Sequence, residues 1–169
     1  YGIVVTGVGG TGVVTVGALI GMAAHLEGKG VSILDMAGLA QKGGAVVSHI
    51  RIAKKADELN AVRIAAGEAN LLLGCDLVVA AGADALDKTR IGHTHAVINA
   101  YESPTGDFTR NPDLVFPGQE MKDVIALALG QGAMSVVDAT KLATALMGDS
   151  IATNPFMLGF AWQKGLIPV

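Results

Sequence analysis

Gly7-Val8-Gly9-Gly10-Thr11-Gly12 has the G-x-G-x-x-G spacing, directly after a short β-branched run and directly before an apolar helical pattern. At such a junction the backbone N–H groups of the opening helical turn favour an anion, for instance a pyrophosphate. Asp35 follows 23 residues beyond Gly12, at the end of the second predicted strand, where a dinucleotide-binding domain places an acid for the ribose hydroxyls. A free-standing Rossmann-like dinucleotide-binding protein is one reading of this spacing. The same glycines equally suit a tight turn and close helix–sheet packing with no ligand. The second candidate is the loop Gly38-Leu39-Ala40-Gln41-Lys42-Gly43-Gly44, at the end of the second strand, on the edge where open α/β sheets bind ligands. Lys42 offers a point charge, Gln41 an amide, and Gly43 with Gly44 a close backbone approach. An ordinary turn with a solvated Lys is the plain alternative.

The remaining polar residues suggest less. His93 and His95 share a face only in an extended segment and lack a third ligand, so they read as surface histidines and no metal site is expected. His49 and Arg51, two apart on the third strand, read as an exposed strand face. Cys75 has no basic neighbour in sequence and reads as a small core residue. As the single cysteine it excludes an internal disulfide framework and any four-cysteine cluster built by this chain alone, and it suits a reducing cytoplasm.

The elements that must position these residues follow a β–α alternation. Strands are expected at Ile3–Thr6, Val31–Met36, Ala45–Ile52, Leu77–Ala81, Ala96–Ala100 and Met134–Asp138. Helices are expected at Val13–Leu26, in a short piece within Gly67–Gly74, and at Asp84–Arg90, Gln119–Leu129, Ala139–Met147 and Asn154–Lys164. Residues 102 to 118, rich in Pro, Gly and Asp, read as a surface loop. The third strand alternates more strongly than the first two, as a half-exposed or antiparallel strand does. The fold class is α/β, three-layer α/β/α and doubly wound, with a mostly parallel or mixed sheet in one domain, residues 1–169. With 51% hydrophobic and only 16% charged residues among 169, part of the surface is expected to be covered by another protein. The first ionisable side chain after Tyr1 is His25, which points to the strand, the glycine turn and the first helix as that surface. A net charge of −3 without a Lys/Arg cluster argues against nucleic acid. The glycines that interrupt the N-terminal apolar run argue against a membrane span. A chain that opens at Tyr1 and enters a strand at once reads as a piece of a longer polypeptide.

Gly7 to Thr15, His25-Leu26-Glu27-Gly28-Lys29, Gln41-Lys42-Gly43-Gly44 and Ser48-His49-Ile50-Arg51-Ile52 resemble the gamma-type domain of 2-oxoacid:ferredoxin oxidoreductases. Within that family, Leu34 to Gly44 is most similar to the large fused indolepyruvate ferredoxin oxidoreductases, with Lys42 standing where many members carry Arg. The resemblance implies an enzyme that decarboxylates an aryl pyruvate on thiamine diphosphate with Mg. Its electrons would pass through [4Fe-4S] clusters to ferredoxin, and its product would be an acyl-CoA. It implies partners in the thiamine-binding and iron–sulfur domains of the same enzyme, and a homo-oligomer of the whole. This domain would pack against those domains and be inactive alone. Gln41, Lys42, Gly43 and Gly44 then become the candidate active-site or interdomain contacts, with Lys42 approaching a CoA phosphate, a substrate carboxylate or a neighbouring carboxylate. The turn at Gly7, Gly9, Gly10, Thr11 and Gly12 becomes structural or interdomain, and Asp35 matters only to the dinucleotide alternative. A pure assembly module is the third reading.

Overall fold

Ile3, Val4 and Val5 are all wholly buried although neighbours on a strand point to opposite sides, so β1 (Gly2–Val8) is covered on both faces. The computed structural model, which describes residues 1–38, 43–103, 113 and 115–169, shows what covers it. β1 leads to α1 (Val13–Leu26), β2 (Gly30–Ala37) and β3 (Ala45–Ala53). After a polar segment come β4 (Leu71–Gly74), α2 (Leu77–Ala80), α3 (Ala83–Leu86) and β5 (His95–Asn99). The chain closes with α4 (Gly118–Leu129), β6 (Met134–Val137), α5 (Ala139–Met147) and α6 (Thr153–Gln163).

The sheet order is β2-β3-β1-β4-β5-β6. β3 runs antiparallel to both its neighbours, and the β1–β4, β4–β5 and β5–β6 pairs are parallel. Ile3 and Val5 pack with Val16, Ile20 and Met157 under α1 and α6. Val4 packs on the opposite face with Leu72, Leu77, Ile98 and Ile125 under α2 and α4. The result is the expected three-layer α/β/α fold with a mixed, mostly parallel sheet.

α1 lies very close to the sheet. A β-carbon at Gly21 would stand 2.6 Å from Ile33 Cδ1, and one at Gly17 3.1 Å from Ser48 Oγ. These glycines cost helix propensity, and the close approach explains their presence.

Three expectations are corrected. Leu77–Ala81, read as a strand, is the helix α2, and the piece read as a helix within Gly67–Gly74 holds the strand β4. Leu71-Leu72-Leu73 and Leu77-Val78-Val79 are both short apolar runs, which periodicity cannot assign. The deciding residue is Asp76, whose carboxylate accepts the Val79 N–H at 2.9 Å and so caps a helix start rather than continuing a strand. The third correction concerns His49 and Arg51, read as an exposed strand face. His49 is only 2% exposed. The polar segment after β3 folds back over it, with the Ile64 N–H donating to His49 Nδ1 at 3.3 Å and Arg51 donating to the Arg63 carbonyl at 3.2 Å.

No helix among the described residues is long and apolar enough to cross a membrane.

Candidate functional site

The glycine turn joins β1 to α1, and its glycines have separate physical reasons. A β-carbon at Gly7 would stand 2.6 Å from Val13 Cγ2, so this position fixes how tightly the helix returns onto the strand. Gly10 and Gly12 have φ of +89° and +95°, the left-handed region that disfavours side chains. Gly9 donates its N–H to the Gly44 carbonyl at 2.8 Å, which brings the two glycine segments predicted from sequence together. Gly43, at φ +70°, lets the chain turn into β3. Gln41 and Lys42 lie outside the described residues. Thr11 sits in the turn, its N–H and its hydroxyl both donating to the Val8 carbonyl, at 3.2 and 2.7 Å.

Asp35 is not brought to this turn. It is exposed on β2, paired with Ser48 of β3, and Ser48 in turn pairs with Val5 of β1. One antiparallel strand therefore separates β2 from β1, a lateral offset of about 10 Å at the usual strand spacing. In a dinucleotide fold the acid lies on the strand directly beside β1.

A cleft of about 380 Å³ opens instead at the C-terminal ends of β1, β4 and β5. This is where the strand order departs to both sides of β1, the position at which open α/β sheets take ligands. Its wall includes Thr11, Asp76, Asn99, Thr140, Asp149 and Asn154. Asn99, buried at the end of β5, uses its full hydrogen-bonding capacity. Its amide donates to the Cys75 carbonyl at 3.1 Å and to Thr140 Oγ1 at 3.0 Å. Its Oδ1 accepts from the Ala139 N–H at 3.1 Å and the Tyr101 N–H at 3.3 Å. Asn154, buried in the first turn of α6, donates to the Thr11 carbonyl at 2.8 Å and clips α6 to the glycine turn. Asp76 and Asp149 cap local backbone N–H groups at 2.9 Å each.

Among the described residues, two carboxylates and no Lys, Arg or His line this cleft. Such a wall attracts neutral hydrogen-bonding or cationic groups and repels a pyrophosphate. Cys75 also reaches the cleft, but burial, and then the nearby Asp76 charge, push its thiol up to about 12. At neutral pH it is a protonated core residue rather than a nucleophile. Sequence reasoning missed Asn99, Thr140, Asp149 and Asn154. The available signal was an Asn ending an apolar strand and another opening a charge-free helix, because a buried amide needs several partners.

The other histidines stay apart from the cleft. His95 opens β5 and is exposed, while His93 Nε2 lies 3.2 Å from the Asn70 amide nitrogen. Among the described residues no three His, Cys, Asp or Glu side chains gather as metal ligands.

The sequence model of the pyruvate ferredoxin/flavodoxin oxidoreductase family matches residues 2–169. The chain is 29% identical over 170 residues to the indolepyruvate oxidoreductase subunit IorB of Thermococcus kodakarensis, covering 100% of this chain and 80% of that subunit. Its fold is similar to the pyruvate oxidoreductase subunit PORC of Thermotoga maritima, with a TM-score of 0.65 at 16% identity over 99% of this chain and 78% of that one. It is also similar to the 2-oxoglutarate:ferredoxin oxidoreductase of Magnetococcus marinus, solved with 2-oxoglutarate, coenzyme A and succinyl-CoA bound. There the TM-score is 0.58 at 21% identity, over 90% of this chain and 22% of that one. The matched fold is thus a named subunit in the Thermococcus relative and a minor part of a longer chain in the Magnetococcus enzyme. The sequence suggested the large fused arrangement; the Thermococcus relative is a separate subunit.

Proposed function

The chain belongs to the pyruvate ferredoxin/flavodoxin oxidoreductase family, and from that membership we propose that it is the gamma-type component of an indolepyruvate:ferredoxin oxidoreductase. The enzyme would oxidatively decarboxylate an aryl 2-oxoacid, transfer the acyl group to CoA and pass the electrons to ferredoxin. The observation that carries this reading is the similarity of the whole chain to four fifths of an indolepyruvate oxidoreductase subunit. Thiamine diphosphate with Mg and [4Fe-4S] clusters would supply the carbanion stabilisation and the electron path. This chain's own residues do not fit the metal groups. Its one cysteine is buried and held protonated, and the described residues assemble no metal-ligand group. Those groups are therefore assigned to other parts of the enzyme.

What this chain offers is a surface and a loop. The outer faces of α1 and α6 lie on the same side of the sheet and carry no Asp, Glu, Lys or Arg. Val14, Leu19, Met22 and Leu26 on α1 and Trp162 on α6 are exposed there, which suits burial against a partner. Lys42 is proposed to approach an anionic group of CoA, of the substrate or of the adjoining protein.

The test is reconstitution with the thiamine-binding subunit. The assembled pair is expected to reduce ferredoxin in a reaction dependent on indolepyruvate and CoA, with neither part active alone. Micromolar binding of a dinucleotide by the isolated chain, weakened by Asp35→Ala, together with no gain of activity on mixing, would favour the Rossmann-like alternative. Lys42→Ala should lower turnover or alter the CoA dependence. An unchanged rate with intact assembly would reduce the loop to an assembly contact.

A further inference from the structure

On the sheet face opposite α1, the segment after β3 and the α3 region enclose a cavity of about 190 Å³. Met36, Val47, His49, Arg63, Asp84 and Lys88 wall it. His49 accepts the Ile64 N–H at Nδ1, so in the neutral ring the proton sits on Nε2. Burial first, then the charges of Arg63 and Lys88, hold this imidazole below its ordinary pKa, which keeps it neutral at neutral pH. Among the described residues nothing accepts from His49 Nε2, and the Arg63 guanidinium is without a partner too. Lys88, 6% exposed, is held by Asp87 at 2.5 Å and adds a third donor. Asp84 is the one carboxylate in the wall, opposed by two cations. Met36 and Val47 supply an apolar floor.

We propose that this cavity binds a small free carboxylic acid anion with a short aliphatic tail, its oxygens accepting from His49 Nε2 and Arg63 and its tail resting on Met36 and Val47. The arrangement matches the chemistry. A guanidinium fork pairs with two carboxylate oxygens, the neutral His49 ring offers an N–H from the same cavity wall, and the volume equals about six waters at roughly 30 Å³ each. The site lies on the other face of the sheet edge from the glycine turn and does not depend on the family reading.

The test titrates the ¹⁵N-labelled full chain with isobutyrate at constant ionic strength, following the His49 imidazole and Ile64 amide signals. Saturable shifts confined to these residues and their neighbours are expected, with a Kd of roughly 1 to 10 mM, as befits so small a ligand. Arg63 is exposed, so R63Q should leave the spectrum folded and weaken binding by roughly tenfold or more. Shifts that stay linear, or that R63Q leaves unchanged, would overturn the site. Tighter saturation by inorganic phosphate than by isobutyrate would overturn the carboxylate assignment.

Discussion

Asn99 joins more of the cleft than any other side chain in its wall, since its four hydrogen bonds tie the ends of β4 and β5 to the start of α5. Asn99→Ala would strand the Ala139 N–H and the Cys75 carbonyl in a buried place. Such a loss costs about 2 to 4 kcal/mol, readable as a lowered urea midpoint. A change below about 0.5 kcal/mol, the range of an ordinary surface substitution, would show that the amide is not structural. Cys75 makes a second prediction. A thiol held protonated to about 12 in the fold, but free to ionise near its ordinary value when unfolded, stabilises the native state fully below about pH 8.5. That contribution should fall by about 1.4 kcal/mol per pH unit as the pH rises toward the folded value, and Cys75→Ala should flatten the slope. Thiol reagents should react with native protein only as fast as it opens. Cys75 was legible in the sequence because its apolar neighbours and lack of nearby basic groups already describe a core thiol. Asn99 was not, because its partners come from three elements brought together only by the fold.

The element most clearly misread, the pair β4 and α2, is held by one small residue. Gly74 closes β4, and a β-carbon there would stand 2.7 Å from Ile98 Cδ1 and 2.8 Å from the Ala80 β-carbon. The missing side chain is what allows α2 to fold back against its own strand within a few residues. Gly74→Ala should cost about 1 to 3 kcal/mol through overpacking, measured as a fall in melting temperature with the circular dichroism spectrum retained. A neutral effect would mean that α2 slides easily. Elements with long periodic patterns, such as α1, α4 and α5, were readable end to end, because a helix of several turns repeats its signal. β4 crosses the core in four residues, too few to display a period. The antiparallel direction of β3 was one of two readings left open by its alternation, and only the pairing register decides it.

At the scale of the whole molecule, two helices on one side of the sheet, α1 and α6, carry no Asp, Glu, Lys or Arg. The sequence displayed the first half of this, the uncharged stretch before His25, but not that α6, far along the chain, lies on the same side of the sheet. Leu19 and Met22 are about half exposed, so Leu19→Lys with Met22→Lys should leave the fold intact and weaken assembly with the partner subunit by tenfold or more, the size expected for central contacts. Co-elution with the partner unchanged from wild type would place the interface elsewhere. Asp35 gains a different meaning from the same architecture. It is the only charged side chain on β2, an eight-residue strand that, among the described residues, borders the sheet with no strand paired on its outer side. Open borders of that length invite a second chain to add on, and a charge in their middle deters it. Replacing the acid first read as a ribose ligand by Val is therefore expected to make the isolated chain self-associate, read as a rise in light scattering with the circular dichroism spectrum unchanged.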